Sequence, residues 1–329
     1  MIQRLEHQLG NDVPLIAGEH ILGSGVVALE GAAALEFLNR MATNDLMQMR
    51  DGEAITTILT TEKGRIVDLV RVIKSHDRLL LATSRDTQAH VKQWLERYII
   101  MEDIRISDVT NQFVVRNLFA APGASHAPTD ANGSVLNSTS ARPVSTDGGV
   151  MIIQDELWPS EVYLSLEPGP GAMNEQRQAL PGVTQQANLP DDLFELRRVR
   201  EGVPVYGREL SERFNPLEVN LGRFISYTKG CYVGQEVIAR IDSYKKLQRK
   251  IAGFYLDVPP GETARPGPLL VKMTEAGEIT SVAPTGNSER RCALGFLNTN
   301  YAGGPLQLHN VAENRFYPVS TSHFPLLDA

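Results

Sequence analysis

Two runs of apolar and β-branched residues, at 54–60 and 66–74, flank a short polar turn and constrain the fold more than any other stretch. Gly64 closes that turn, where glycine can supply the positive φ that a tight hairpin needs. Residues 86–100 follow, with apolar side chains at the spacing of one helical face. Further strand-like runs lie at 13–28, 79–83, 105–109 and 112–120. Strands, a helix and more strands, joined by hairpin turns, predict an α+β fold with mainly antiparallel pairing.

The pattern changes from residue 247 onward. Short apolar runs are broken there by Pro-Pro-Gly, Pro-Gly-Pro and Gly-Gly, which predicts an all-β, barrel-like domain at 247–329 after a first region at 1–246. Residues 121–149 are rich in Pro, Ser, Thr, Gly and Asn, which indicates a long surface excursion of undetermined role. Helices are predicted at 32–41, 173–180 and 191–201, and Gly202 suits the left-handed cap of the last one.

Composition limits the class of protein. Of 329 residues, 22% are charged and 42% hydrophobic, which is typical of a globular protein in water. There is no apolar run of about 18 residues and no apolar signal-peptide core at the N-terminus, so we expect a cytoplasmic protein without membrane contact. Two cysteines, Cys231 and Cys292, are too few for a disulfide scaffold or for a resident zinc or iron–sulfur site.

Cys231 lies in the run Lys-Gly-Cys-Tyr-Val-Gly-Gln-Glu, which begins at Lys229. Gly230 and Gly234 allow the backbone on both sides conformations closed to other residues, which would leave the sulfur open to a ligand. Lys229 is a nearby cation, and cations favour the thiolate form that attacks electrophiles and binds soft metals. The alternative is that Cys231 is a small buried hydrophobe between turn glycines. Cys292 is predicted to be a packed core thiol.

Asp68 is a second candidate, because it shares a strand face with Ile66, Val70 and Val72. A carboxylate on an apolar face needs a hydrogen-bond donor or a substrate, since burying it unpaired is costly. The alternative is an edge-strand acid that accepts hydrogen bonds from neighbouring backbone.

A basic stretch follows the cysteine run, although the net charge of −7 argues against indiscriminate nucleic-acid binding. It contains Arg240, Lys245, Lys246, Arg249 and Lys250, with Tyr244 among them and Asp242 opposing them. One interpretation is an RNA-binding surface for tRNA. The alternative is a solvated strand and turn surface.

The run from Lys229 to Glu236, followed by Ala239-Arg240, resembles the signature of the YgfZ family of folate-binding proteins, which includes mitochondrial relatives that act in iron–sulfur protein maturation. Arg198, Gly202 and Pro204, and then Pro216, Glu218 and Asn220-Leu221, also fall where that family's pattern expects them. Residues 31–45 are similar to the opening segment that the family shares with the glycine-cleavage T-protein.

The resemblance implies two antiparallel, ferredoxin-like α+β subdomains around a central cleft, one of them inserted at about 50–120, and a C-terminal β-barrel. It implies tetrahydrofolate or a folate derivative as cofactor, and iron–sulfur client or assembly proteins as partners, including those that thiolate tRNA. Cys231 would be a transient cluster ligand rather than part of a resident metal site. The residues implied for folate and the cleft are Tyr206, Glu218, Asn220, Tyr232, Gln235, Glu236 and Arg240.

Two functions follow from the resemblance. The first is an accessory factor for iron–sulfur proteins, with a folate site and with Cys231 and Lys229 at its centre. The second is a tetrahydrofolate-dependent aminomethyltransferase of the T-protein type, in which Asp68 corresponds to the catalytic acid. The chain departs from the T-protein pattern at Arg65 and Leu69, which replace the second residue of Gly-Gly and of Asp-Asp, and at Arg200, which replaces the pterin-binding glutamate.

Overall fold

Three β-structures form the architecture of the residues that the computed structural model describes, which are 18–119, 144–145, 150–169, 188–244, 247–284 and 290–324. The first is a five-stranded sheet in the spatial order β1 (Gly18–Ile21), β7 (Phe113–Phe119), β10 (Val162–Pro168), β9 (Met151–Gln154) and β8 (Val144–Ser145). The second is a five-stranded sheet in the order β3 (Ala54–Thr60), β4 (Ile66–Ser75), β5 (Arg78–Arg85), β2 (Ser24–Glu30) and β6 (Arg105–Asp108). All the strand pairs in both sheets are antiparallel.

The third structure is a closed barrel, as predicted for the C-terminal region. Its strands follow the order β11 (Arg249–Asp257), β14 (Arg290–Asn298), β13 (Thr274–Val282), β12 (Gly267–Val271), β15 (Leu306–Asn310) and β16 (Arg315–Ser322). Four α-helices complete the described chain: α1 (Ala34–Met41), α2 (Gln88–Glu96), α3 (Asp191–Glu201) and α4 (Gln235–Tyr244). The prediction of an antiparallel α+β fold with a C-terminal barrel is therefore confirmed.

The second sheet is buried on both faces. Phe37 of α1 and Leu95 of α2 pack on one face together with Val70, while Ile73 on the other face packs with Leu164 of the first sheet. Burial is continuous from Ile66 to Ile73, so the side chains of β4 do not alternate between core and solvent. A further core cluster joins α3 and the first sheet to the barrel, and it includes Phe119, Val199, Phe214, Phe224 and Phe296.

Several boundaries differ from the predictions. The second sheet takes in β2 and β6, because β2 pairs with both β5 and β6, so this subdomain begins earlier than the predicted insertion at about 50–120. Helix α2 is shorter than 86–100, since Asp86 adopts a left-handed φ of 58° just before it. Helix α3 ends as predicted, at Gly202 with φ 74°. The predicted helix at 173–180, and 121–149 except for β8, lie outside the described residues.

The basic stretch after the cysteine run begins in a helix and ends in a strand, because Arg249 and Lys250 open β11. Helix α4 continues to Tyr244, and Ile238 on it is fully buried. The carbon side chains of Val237 and Ile238 approach Gly64 of the β3–β4 turn, and this packing favours a helix that presents an apolar face. Among the described residues, no helix is long and apolar enough to span a membrane.

Candidate functional site

The thiol of Cys231 is exposed, whereas that of Cys292 is buried in β14. The alternative interpretation of Cys231 as a buried hydrophobe is therefore wrong, and the prediction of a packed core thiol for Cys292 is confirmed. Burial raises the pKa of Cys292, against the opposing effect of the neighbouring Arg200 guanidinium. Cys231 is thus the accessible thiol of the chain, because Cys231 and Cys292 are its two cysteines.

Lys229 points away from solvent and into main-chain oxygens. Its Nζ donates hydrogen bonds to the carbonyls of Asn39 at 2.6 Å, Ala42 at 2.9 Å and Asn44 at 2.7 Å. Burial lowers the pKa of Lys229 to about 8, and the charge of Asp45 opposes this shift. An ammonium has three N–H donors, so Lys229 can act on Cys231 through its charge but not by a hydrogen bond.

Tyr232 is the buried residue next to the exposed thiol. Its ring centre lies 5.5 Å from the Lys229 Nζ, within the range of a cation–π interaction. Burial raises the pKa of the Tyr232 phenol to about 12, and the charge of Tyr227 adds to this shift. The Tyr232 side chain therefore packs into the protein, while the Cys231 side chain next to it faces solvent.

Gly234 is a glycine that this site requires. It has a φ of +84°, and a Cβ on it would lie 2.5 Å from the Thr61 carbonyl oxygen and 2.7 Å from Thr60 Oγ1. The same Thr60 hydroxyl donates to the Val233 carbonyl at 2.7 Å. Gly230 differs, because its φ is not in the left-handed region and a Cβ on it would meet nothing within 4 Å. Unlike Gly234, Gly230 therefore does not adopt a conformation that is closed to other residues.

Helix α4 begins one residue after Gly234 and carries three of the predicted site residues. Gln235 is half-buried at its start, while Glu236 and Arg240 are exposed. They are four residues apart and so lie one above the other on the helix surface. These two charged side chains are therefore available to a ligand near the cysteine loop.

Asp68 is completely buried in the middle of the second sheet, not on an edge strand. Its Oδ1 accepts a hydrogen bond from the Leu69 N–H at 2.8 Å, and its Oδ2 accepts from the Ser84 N–H at 3.0 Å and the Thr87 hydroxyl at 2.6 Å. Burial raises the pKa of Asp68, although these donors oppose the shift. The carboxylate has thus found protein donors, as its position on an apolar face requires.

Tyr206 lies near Asp68. Burial is the main cause of a raised pKa at the Tyr206 phenol, and the charge of Asp68 contributes to it. Tyr206 is 36% exposed, in contrast to the fully buried Asp68. Any ligand at this position would therefore meet the phenol before the carboxylate.

Glu218 has a structural position at the junction with the barrel. It is buried, accepts from the Asn215 N–H at 2.9 Å, and pairs with Arg65 at 3.4 Å and Arg249 at 3.6 Å. Its own carbonyl accepts from the Ile251 N–H at the start of the barrel. Asn220 nearby is exposed and adopts a left-handed φ of 60°. The ion pair between Glu218 and Arg65 was not predicted from the sequence. The arginine at position 65, where the T-protein pattern has glycine, could have indicated an acidic partner.

Arg249 belongs to this junction rather than to an open basic surface. Besides Glu218 it contacts Glu278 at 3.3 Å, and its guanidinium lies 4.5 Å from the Phe214 ring centre. Its charge is therefore already paired within the protein, and its part in an RNA surface stays a prediction. Arg240 and Lys250 are exposed, whereas Lys245 and Lys246 lie outside the described residues. A tRNA contact stays a prediction.

Within the described part of the chain, no group of three or more His, Cys, Asp or Glu side chains is arranged to hold a metal ion. The chemistry that the arrangement offers is therefore that of one accessible thiol on an anchored loop, with charged side chains of α4 beside it.

Comparison with known proteins gives one family match. Residues 21–124 match the family described as the GCVT N-terminal domain. Among curated proteins, a chloroplastic protein of Arabidopsis thaliana whose name assigns it to the transferases is 27% identical over 292 residues, which are 84% of this chain and 64% of that protein. The alignment thus spans less than two thirds of that relative's length.

Other relatives are named aminomethyltransferases. The one from Halalkalibacterium halodurans is 24% identical over 297 residues, which cover 84% of this chain and 77% of that protein. Among solved structures, the glycine cleavage system aminomethyltransferase T from Bartonella henselae superposes with a TM-score of 0.74 over 95% of this chain and 87% of that one, at 16% identity. The chain therefore has the fold of the glycine-cleavage aminomethyltransferases.

Proposed function

We propose that this chain is a folate-binding accessory protein of the YgfZ type that supports the assembly or repair of iron–sulfur clusters, including those of tRNA-modifying enzymes, through Cys231. The observation that carries the proposal is the exposed thiol on a loop anchored on both sides, at Lys229 and at Gly234. An exposed thiol on an ordered loop can coordinate iron of a cluster as the thiolate and release it again, because one protein ligand is too few to retain the cluster.

Folate belongs to this proposal as tetrahydrofolate or a derivative. Of the predicted binding residues, Tyr206, Asn220, Glu236 and Arg240 are exposed and would hold the ligand. An aromatic ring suits a flat heterocycle, and a guanidinium suits the carboxylates of a glutamyl tail. Glu218 and Tyr232 are buried and would act by supporting the site. Bound folate would supply one-carbon or redox chemistry beside the thiol.

The second candidate is an aminomethyltransferase of the T-protein type. The fold and the names of the relatives favour it. In this chain, however, both oxygens of Asp68 already accept hydrogen bonds from the protein, and Arg200 stands where that family has its pterin-binding glutamate. These features favour the accessory role over the transferase.

Complementation distinguishes the two functions. A strain that lacks its own YgfZ-type protein would receive the wild-type chain, Cys231→Ser, Asp68→Asn or the control Cys292→Ala, and the activity of its iron–sulfur enzymes would be measured. We expect rescue by wild type, Asp68→Asn and Cys292→Ala, and failure of Cys231→Ser. Full rescue by Cys231→Ser together with failure of Asp68→Asn would refute the accessory role and favour the transferase.

A further inference from the structure

The loop that carries Cys231 is bonded along the C-terminal end of α1. The Ser226 N–H donates to the Thr43 carbonyl at 2.9 Å, and the Val233 N–H donates to the Arg40 carbonyl at 3.1 Å. Between these two bonds, Lys229 donates to three more carbonyls of the same strip, those of Asn39, Ala42 and Asn44. The last carbonyls of a helix have no partner within the helix. Here the cysteine loop supplies partners for two of them, those of Asn39 and Arg40, and for three carbonyls of the segment that follows α1.

The charge of Lys229 matches its surroundings. The carbonyl end of a helix carries partial negative charge and attracts cations. The nearby charge of Asp45 acts in the same sense, and Tyr232 presents its ring face to the ammonium. The three carbonyl oxygens lie 2.6–2.9 Å from one nitrogen, a convergence that a single ammonium can satisfy with its three N–H groups.

We propose that Lys229 is a positioning residue, whose ammonium ties the cysteine loop to the C-terminal end of α1 and so holds the Cys231 thiol in its exposed position. The positioning role itself does not depend on the proposed function, but the expected loss of rescue in Lys229 variants does. This role differs from the sequence-based expectation, in which Lys229 activates the thiol as a neighbouring cation. The second anchor of the loop is on the far side of Cys231, where Val233 and Gly234 contact Thr60 and Thr61.

Activation of the thiol by charge and positioning of the loop by hydrogen bonds predict different behaviour for the variant Lys229→Arg. A guanidinium carries the same charge but holds its five N–H groups in one rigid plane. It cannot direct three donors from one atom at three converging carbonyls. If the charge of residue 229 is what matters, Lys229→Arg will behave like wild type. If the carbonyl contacts matter, Lys229→Arg will fail together with Lys229→Met.

Amide hydrogen exchange tests the anchor directly. The exchange rates of the Ser226 and Val233 amides would be measured in wild type, Lys229→Met, Lys229→Arg and Lys229→Gln, with the exposed Lys250→Met as the control. We expect exchange at both amides to be at least about tenfold faster in Lys229→Met and Lys229→Arg, because the loop opens locally more often. Amides of the barrel strands should be unchanged. Lys229→Gln keeps two N–H donors and serves as the variant to measure if Lys229→Met does not fold.

The same variants then enter the complementation assay. We expect Lys229→Arg to lose rescue as Lys229→Met does, with the control Lys272→Met, at an exposed turn of the barrel, at the wild-type level. Unchanged exchange at Ser226 and Val233 in Lys229→Met would overturn the positioning role, and so would full rescue by Lys229→Arg. Accelerated exchange together with normal rescue by Cys231→Ser supports the anchor and refutes the proposed function, so the two failures are distinguishable.

Discussion

At the residue scale, the charged form of Lys229 is disfavoured by the partial burial of its side chain. Burial lowers its pKa from the ordinary 10.5 to about 8, so holding the ammonium there reduces the stability of the fold at neutral pH. Buried charges of this kind are retained in some proteins because they select one arrangement of the chain rather than because they stabilise it. The three carbonyl contacts of Lys229 agree with such a role.

This lowered pKa predicts how stability depends on pH. Between pH 8 and 10.5 the unfolded chain binds more protons at Lys229 than the folded chain does. The contribution of Lys229 to the free energy of unfolding must therefore rise with pH across this window and fall as the pH drops through about 8. Urea denaturation at pH 7, 8.5 and 10 would compare wild type with Lys229→Met. We expect the difference in favour of wild type to increase with pH.

The exposed Lys250 is the control for this prediction. Lys250→Met also removes one lysine, so it controls at each pH for the loss of a lysine side chain as such. Groups that titrate in the same range but do not contact Lys229 are present in both proteins of each pair, so their effects cancel. A pH-independent difference for Lys229→Met would show that its ammonium is not buried as the structure indicates.

At the element scale, the cysteine loop and the β3–β4 turn depend on close contact at Gly234. We expect Gly234→Ala to lower the free energy of unfolding by about 2 kcal/mol or more, because the new Cβ meets backbone and the φ is left-handed. Gly230→Ala, in the same motif, should stay within about 0.5 kcal/mol of wild type, since its Cβ enters open space. Chemical denaturation measures both. Equal effects of the two substitutions would contradict the packing of α4 on the turn.

The alkylation rate of Cys231 gives a second comparison between these two glycines. In a Cys292→Ala background it reports on the one remaining thiol. The rate should change in Gly234→Ala, where the loop must shift, and should match wild type in Gly230→Ala.

At the scale of the whole molecule, a buried polar cluster joins α3 to the barrel. Arg198 and Glu209 are both completely buried. Arg198 donates to Ser281 Oγ at 2.7 Å and to the Val203 carbonyl at 3.1 Å, and lies 3.5 Å from Glu209. Glu209 in turn accepts from the hydroxyls of Thr280 and Ser281, both at 2.6 Å. Arg198 also pairs with Glu195 of its own helix at 2.5 Å, so its charge is shared between that carboxylate and Glu209.

Removing one charge of this cluster should weaken the contact between α3 and the barrel and so lower the free energy of unfolding. We expect Arg198→Met to cost about 3–5 kcal/mol, because Glu209 would remain buried without a cation. The double variant Arg198→Met/Glu209→Gln should recover part of that loss, since Glu209 would no longer carry a buried charge and Glu195 would keep its pair with Arg208. Urea denaturation gives the values. Arg213→Met serves as the control, because the Arg213 side chain is 60% exposed in its pair with Glu278, and such a pair should be worth less than about 1 kcal/mol. Additive losses in the double variant would refute the coupling.

The parts of the fold that were predictable depend on neighbours in the chain. Gly64 forms the expected turn, in which its N–H bonds the Thr61 carbonyl at 2.8 Å, and Gly202 ends α3 in the left-handed conformation. Helix α4 was not predicted, although Val237, Ile238 and Ile241 recur there at helical spacing. The contact of this apolar face with Gly64 of the β3–β4 turn is visible only in the folded chain.

For the site, the sequence alone determined that Cys231 is the thiol to examine, because its motif is contiguous and does not depend on distant partners. Only the tertiary structure decided what the surrounding residues do. It directs Lys229 at carbonyls up to 190 positions away, pairs Glu218 with an arginine 153 positions away, and surrounds Asp68 with protein donors. The physical reason is that a polar side chain takes its role from the groups that satisfy it in the folded chain. Those groups are brought together by packing and not by proximity in sequence.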